Sequence, residues 1–315
     1  MTTNAPMNMT QVGLGINPVL STIAQGYTNG TLVGSTLFPR VPVTARVGQI
    51  LQFGKEAFRK YNLRRSPGAE VTQIDIGYKG LPYELYQNAL AIKLPREKVD
   101  EAQVIAGVYL PTAALNTNMN IMLTGLEFDQ AALATNPSNY LSGSVLNATS
   151  TDKWSDPACN PVKQVLAARE VVRRQIGRYP NTMLIGAAAF AALEECPALV
   201  DRFKYTTHAS ITAEMLAPLF KVSKIVVAEA VTEDDTDTDE MTDIWGPNAI
   251  LAYVPEQIDS IETPSFGYTY TLEGMPLVEN AYLDVGKRSW MYQMLYERAP
   301  VITMQASGFL FQNLV

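Results

Sequence analysis

From Met1 to Pro39 the chain carries no charged side chain at all. The segment is built from Thr, Asn, Gly and scattered apolar residues, so it lacks the high charge of an ordinary disordered tail. Its apolar spacing supports no long helix. Such a segment is expected to be an extended arm that needs a surface to lie on. The next stretch reverses the balance: Arg40, Arg46, Lys55, Arg59, Lys60, Arg64 and Arg65 are set against Glu56 alone before Glu70. Farther on, no Lys or Arg occurs from Ile225 to Gly286, whereas acidic residues cluster at Glu233, Asp234, Asp235, Asp237, Asp239, Glu240 and Asp243. A chain that is neutral, then basic, then acidic can balance itself internally, or it can match its basic part to the acidic surface of another copy.

The basic stretch sits on a predicted hairpin. Its arms run from about Gln49 to Leu63 and from Val71 to Leu94, with Ser66-Pro67-Gly68 as a turn and Gly77-Tyr78-Lys79-Gly80 as a second break. A lone two-stranded ribbon is marginal in water. No neighbouring element in the sequence is available to cover both faces.

Helical spacing appears around Met119 to Ala134, where Ile121, Met122, Leu126 and Leu133 are expected on one side, and Asn136-Pro137-Ser138 ends the run. From Asn160 to Pro255 the pattern is α/β. Asn160 is the expected N-cap of a helix with Pro161 in its first turn, Val162, Val165, Leu166, Val172 and Ile176 on one face, and Gly177 at its end. A buried strand at Thr182–Ile185 follows, then helices at Ala187–Glu195 and Ala213–Phe220, and strands at Lys224–Ala230 and Ala249–Val254. The last part alternates in period two through Phe266, Tyr268, Tyr270 and Leu272 and again through Trp290, Tyr292, Met294 and Tyr296. These strands are expected to pair with strands that precede the α/β segment, which makes that segment an insertion.

The length of 315 residues suffices for a sizeable core and two domains. No apolar run reaches the roughly 20 residues that span a bilayer. Met1 to Thr10 lacks the features of a signal peptide, and the expected compartment is the cytosol. There Cys159 and Cys196, the two cysteines of the chain, are expected to stay reduced and to serve as packing residues. A net charge of −7 argues against a dedicated nucleic-acid binder, although an acidic protein can enclose DNA without gripping it.

Motifs for chemistry are missing their parts. The one histidine, His208, has no sequence context of a base within a triad, and Ser142 does not complete a nucleophile elbow. Gly13-Leu14-Gly15 lacks the third glycine and the strand of a dinucleotide fingerprint, and no phosphate-binding loop occurs. Asp235, Asp237 and Asp239 alternate as in a calcium loop, but Glu240 replaces the required Gly and Gly246 the required Glu. Adjacent Glu194 and Glu195 would not converge on one substrate. No catalytic residue, cofactor or metal is assigned.

The hairpin is followed by Tyr83-Glu84-Leu85, then Lys93-Leu94-Pro95-Arg96-Glu97, then Asn136-Pro137-Ser138-Asn139-Tyr140. Next come Arg178-Tyr179-Pro180-Asn181-Thr182-Met183-Leu184-Ile185-Gly186, Cys196-Pro197 and Phe203-Lys204-Tyr205. This order of parts resembles the Hong Kong 97-type major capsid proteins of tailed bacteriophages over nearly the whole chain. The resemblance implies an α+β fold with an N-terminal arm (residues 1–48), an extended β-hairpin loop (49–94), a peripheral domain with a spine helix (95–158 and 256–315) and an inserted α/β axial domain (159–255). It implies a non-enzymatic subunit that forms hexamers and pentamers and closes into an icosahedral shell around double-stranded DNA, made in the host cytoplasm and located in the virion. An encapsulin-like nanocompartment shell is the alternative. Because Met1 begins almost at the arm, a separate scaffolding protein is expected, with a portal and a decoration protein as further partners. Arg59, Lys60, Arg64, Arg65 and Lys79 on the loop are the expected inter-subunit contacts; Asp234, Asp235, Asp237 and Asp239 form the expected acidic interface or surface loop. Some members of the family join subunits through a Lys–Asn bond, but no motif here assigns Lys79, Asn280 and Glu279 to that chemistry.

Overall fold

The computed structural model describes residues 16–52, 64, 79–104, 110–203, 211–233, 241–256 and 265–315. In chain order the first elements are α1 (Pro18–Gln25), β1 (Arg40–Val43), β2 (Val47–Gln52), β3 (Lys79–Glu84), β4 (Tyr86–Pro95), α2 (Arg96–Val104), α3 (Leu110–Ala134) and β5 (Val145–Asn147). The middle of the chain supplies α4 (Pro161–Ile176), β6 (Thr182–Gly186), α5 (Ala187–Glu195), α6 (Pro197–Phe203), α7 (Ala213–Phe220), β7 (Lys224–Ala228), β8 (Val231–Glu233), β9 (Met241–Asp243) and β10 (Ala249–Ala252). The last strands are β11 (Gly267–Leu272), β12 (Leu277–Val278), β13 (Tyr282–Asp284), β14 (Ser289–Ile302) and β15 (Gly308–Gln312).

β14 organises the first sheet. Along one edge it pairs antiparallel with β4, from Ser289↔Pro95 to Arg298↔Tyr86, and along the other it meets β13, β12 and β11 in turn. β1 closes that sheet parallel to β11. Helix α3 crosses one face and buries Leu115, Met119, Met122, Leu123 and Leu126 with Met294 and Tyr296 of β14. Ile121 differs from the expectation: it is exposed, because each helical residue turns by about 100° and sets it well away from the Met122–Leu126 face. The helix also starts earlier than its apolar spacing suggests, since Asn118 and Gln130 are buried on the same face as the apolar residues.

The second sheet has the order β5-β15-β10-β6-β7 and is covered on both faces. Met183, Ile185, Ala249, Leu251, Phe309 and Phe311 point into a core shared with α4, α5 and α7. The intervening Leu184, Ile250 and Leu310 point the other way, against Leu37, Phe38 and Phe266. This is the period-two division of a strand buried on both sides. The α4 caps agree with expectation: Asn160 accepts the amide of Lys163 and Gly177 ends the helix at φ 71°. Pro197, just after the end of α5, starts α6. The second sheet extends beyond residues 159–255, because β5 and β15 come from outside that range.

Two expectations are corrected. Residues 16–43 are not an extended arm awaiting another surface: Asn17 caps α1, and Leu37, Phe38, Val41 and Val43 are buried in this chain's own core. The uncharged polar residues make this docking possible, since Ser21 donates to Asn17 and Gln25 donates to the Gly274 carbonyl without bringing charge into the interface. The hairpin is also shorter than expected. β2 pairs with β3 from Val47↔Glu84 to Gln52↔Lys79, but Tyr86–Leu94 leaves the ribbon and joins β14. The turn at Ser66-Pro67-Gly68 lies outside the described residues.

Candidate functional site

Three places concentrate polar groups where the fold would normally be apolar. The first is the junction of the N-terminal segment with α3. Glu127 is 2% exposed, and its carboxylate accepts the backbone N–H of Val33 at 3.0 Å, that of Gly34 at 2.8 Å and the indole N–H of Trp245 at 2.7 Å. One side chain thereby ties residues 33–34, the spine-like helix and the segment after β9 together. Burial raises the Glu127 pKa above the usual carboxylate value, opposed by these donors. A Cβ at Gly34 would displace the side-chain ends of Gln130 and Glu127. Beside this junction lies a cavity of about 280 Å³ lined in part by Tyr27, Asn29, Arg40, Glu127 and Gln130.

The second place lies one helical turn away. Arg298 on β14 is buried, donates to the Met122 carbonyl and lies 4.8 Å from the centre of the Tyr296 ring, with Arg40 at 5.5 Å from that ring. Loss of solvent lowers the Arg298 pKa to about 10, against the pull of the Tyr296 hydroxyl and Asp129.

The third place is the root of the β2–β3 ribbon. Arg46 forms a two-pronged pair with buried Glu297 at 2.6 and 3.0 Å. Tyr83 stacks on Tyr270 at 4.9 Å, and the Leu85 amide donates to Arg46. The ribbon is thus fixed firmly at its base, while Val47 stands 65% exposed just beyond it. Of the expected loop contacts, Arg64 is exposed and Lys79 pairs with Gln52 at the far end of the described ribbon; Arg59, Lys60 and Arg65 lie outside the described residues. Asp234, Asp235, Asp237 and Asp239 also lie outside them, between β8 and β9. The described residues therefore do not bring the basic and acidic sets together.

Reading the sequence missed Glu127, Arg298, Trp245 and Glu297. Glu127 left a signal: it and Asp129 are the only charges in the 25 residues of α3, and Glu127 falls on the apolar face. Arg298 left none, because a basic residue in an exposed strand reads the same way.

These polar clusters hold structure together and offer no reacting centre. Each buried charge is tied to backbone or to another element, and Cys159 and Cys196 are both buried. Burial, first of all, pushes the Cys159 thiol up to about 11, which leaves it unreactive near neutral pH. Among the described residues no group of His, Cys, Asp and Glu could hold a metal ion, and no helix is long and apolar enough to cross a membrane. His208 lies outside the described residues.

The profile of the family described as Phage major capsid protein E matches residues 140–291. The chain is 34% identical over 276 residues to the major capsid protein of Burkholderia phage BcepMu, covering 85% of this chain and 87% of that one. This chain belongs to the phage major capsid protein family. It is a structural subunit and not an enzyme, and it serves in the coat of the virion. The crystal structure of a phage-related protein from Bordetella bronchiseptica superimposes on this capsid protein with a TM-score of 0.81 at 40% identity, over 95% of this chain and 97% of that one. A subunit of the bacteriophage PhiM1 mature capsid gives a TM-score of 0.54 at 12% identity, over 91% and 88% of the two chains. That likeness concerns fold alone, and the fold is Hong Kong 97-type. Fold does not separate a phage coat from a nanocompartment shell; the capsid relative at 34% identity does.

Proposed function

We propose that this capsid protein assembles as hexamers and pentamers into an icosahedral shell that encloses double-stranded DNA without sequence-specific contacts. Residues 1–48 act as an N-terminal arm that lies on this subunit's own core over 16–43, and the extended loop of the 49–94 segment is confined to the part before Tyr86, where the chain joins β14. Residues 95–158 with 256–315 form the peripheral domain, and 159–255 form the axial domain, whose sheet borrows β5 and β15. The observation that carries the reading is the β2–β3 ribbon, which is anchored at Arg46–Glu297 and Tyr83–Tyr270 yet presents Val47 to solvent. A two-stranded ribbon of this kind gains stability from a covering surface, which a neighbouring subunit would supply. Arg59, Lys60, Arg64, Arg65 and Lys79 meet a neighbouring subunit, while Asp234, Asp235, Asp237 and Asp239 lie on an acidic interface or surface loop. Subunits are made in the host cytoplasm, and a separate scaffolding protein guides assembly, with a portal and a decoration protein as further partners.

Electron microscopy of the chain expressed alone and with a candidate scaffolding protein tests this reading. Closed shells with five- and six-fold capsomers in the co-expressed sample are expected. Monomers under both conditions would overturn it, and uniform full-size shells from the chain alone would remove the scaffold.

A further inference from the structure

The C-terminal end of α4 and the turn into β6 form a positively charged corner built on a tyrosine. Arg169 lies 4.0 Å from the centre of the Tyr179 ring and Arg173 lies 5.5 Å from it. The Tyr179 hydroxyl donates to Glu170 at 2.8 Å, and Glu170 also accepts from Arg173 at 2.8 Å. Arg178 lies over Tyr253 and donates to its hydroxyl, and Arg174 stands exposed. From Lys163 to Arg178 there are five basic residues (Lys163, Arg169, Arg173, Arg174, Arg178) against Glu170, a net charge of +4. Tyr179 is 42% exposed despite the stack. Guanidinium groups held against rings are pre-organised to present their edges to carboxylates, and they lose less freedom on binding than mobile lysines.

The β8–β9 ribbon has the complementary character. Its register, Val231↔Asp243 and Glu233↔Met241, places these four residues on one face and Thr232 with Thr242 on the other. Val231 is 47% exposed and Met241 67%. Among the described residues neither Glu233 nor Asp243 forms an ion pair, and no Lys or Arg occurs from Ile225 to Gly286. Among the described residues, this apolar-and-acidic face is exposed and has no basic partner.

The corner cannot supply that partner within the same copy. β6 and β7 run parallel, with Thr182↔Lys224 at one end and Gly186↔Ala228 at the other. Tyr179 precedes the first end by three residues, and Val231 follows the second by three. The length of the strands, roughly 17 Å, therefore separates them. Two unlike, complementary patches at opposite ends of one subunit are the requirement for a head-to-tail contact, which closes into a ring when the rotation allows.

We infer that the Arg169–Tyr179 corner of one copy receives the β8–β9 face of the next, with Val231 and Met241 against Tyr179 and Glu233 and Asp243 against the arginine edges. This contact rests on the shell-forming reading above and specifies one pairing within a capsomer. Charge reversal tests it. Arg174→Glu with Arg178→Glu, and separately Glu233→Arg with Asp243→Arg, are expected to lower the yield of sedimenting particles by about tenfold or more. Circular dichroism melts of the unassembled chain should stay unchanged. Combining the two pairs of substitutions should restore particles. Normal assembly of either reversed variant, or failure of the combined variant to recover, would overturn the contact. A second measurement does not depend on how reversal affects folding: Arg174→Cys with Glu233→Cys should give a ladder of disulfide-linked multimers on oxidation of particles, and monomers alone would count against the pairing. Wild-type chain that forms no particles under any condition sinks the shell reading and this contact with it.

Discussion

Glu127 shows how much a single side chain can hold together in this subunit. Its carboxylate accepts from two backbone amides and one indole N–H at a buried junction. Glu127→Ala leaves those three donors buried and unpaired, at about 1–3 kcal/mol each. A loss of about 3 kcal/mol or more is expected in urea unfolding of the unassembled chain, with the N-terminal segment released first. The pH dependence has a definite sign. The folded-state pKa is raised by burial, so the folded chain binds the proton more tightly than the unfolded chain. This stabilising contribution is fully present below the usual glutamate pKa and is lost as pH rises through the folded value. The stability of wild type minus that of Glu127→Gln should therefore rise as pH falls from 7 to 4, and a difference that falls would refute the assignment. Gly186 acts by space alone: its φ is an ordinary −64°, but a Cβ would overlap the carbonyl oxygen of Gly246, which belongs to backbone and cannot swing aside. Gly186→Ala is expected to cost about 2 kcal/mol or more, read as a lowered melting temperature.

Elements with local punctuation were legible before any contact was known. α4 carries its start and stop in Asn160-Pro161 and Gly177, and α5 and α7 have the predicted bounds, α5 ending before Cys196-Pro197. Asn160→Ala should accordingly cost about 1 kcal/mol, measurable by thermal unfolding, because it removes the acceptor for the Lys163 amide. Elements defined by distant partners were not legible. Tyr86–Leu94 alternates equally well as a hairpin arm or as an edge for β14, and the ten-residue register with Ser289–Arg298 decides it. Residues 16–43 space their apolar positions without a sustained period that would predict burial, yet Leu37 and Phe38 pack against the second sheet and Phe266. The Glu127, Arg298 and Glu297 clusters were hidden for the same reason, since their partners lie from 93 to 251 residues away in the sequence.

At the scale of the whole molecule, the docking of residues 16–43 changes which part of the chain remains incomplete. The N-terminal segment finds its surface at home, so the ribbon that begins at Val47 becomes the principal part without cover among the described residues. At the ribbon's root Arg46 pairs with buried Glu297, which would lose its partner if Arg46 were removed. Beyond that root the sequence is basic, with Arg59, Lys60, Arg64 and Arg65 clustered on a subunit of net charge −7. Charges placed far from the core contribute little to folding, but they meet oppositely charged surface when copies pack. On the reading that these side chains serve contacts between subunits, Arg64→Glu with Arg65→Glu should leave the melting temperature of the unassembled chain within about 1 °C of wild type, since surface substitutions away from buried features usually change stability by about 0.5 kcal/mol or less. Particle yield should fall by about tenfold or more at low salt, where the reversed charges now repel acidic neighbours. Raising the ionic strength should recover part of that yield by screening the repulsion, whereas a steric defect would not respond to salt. Particles formed at wild-type yield would show that the ribbon is held by its backbone and apolar residues alone.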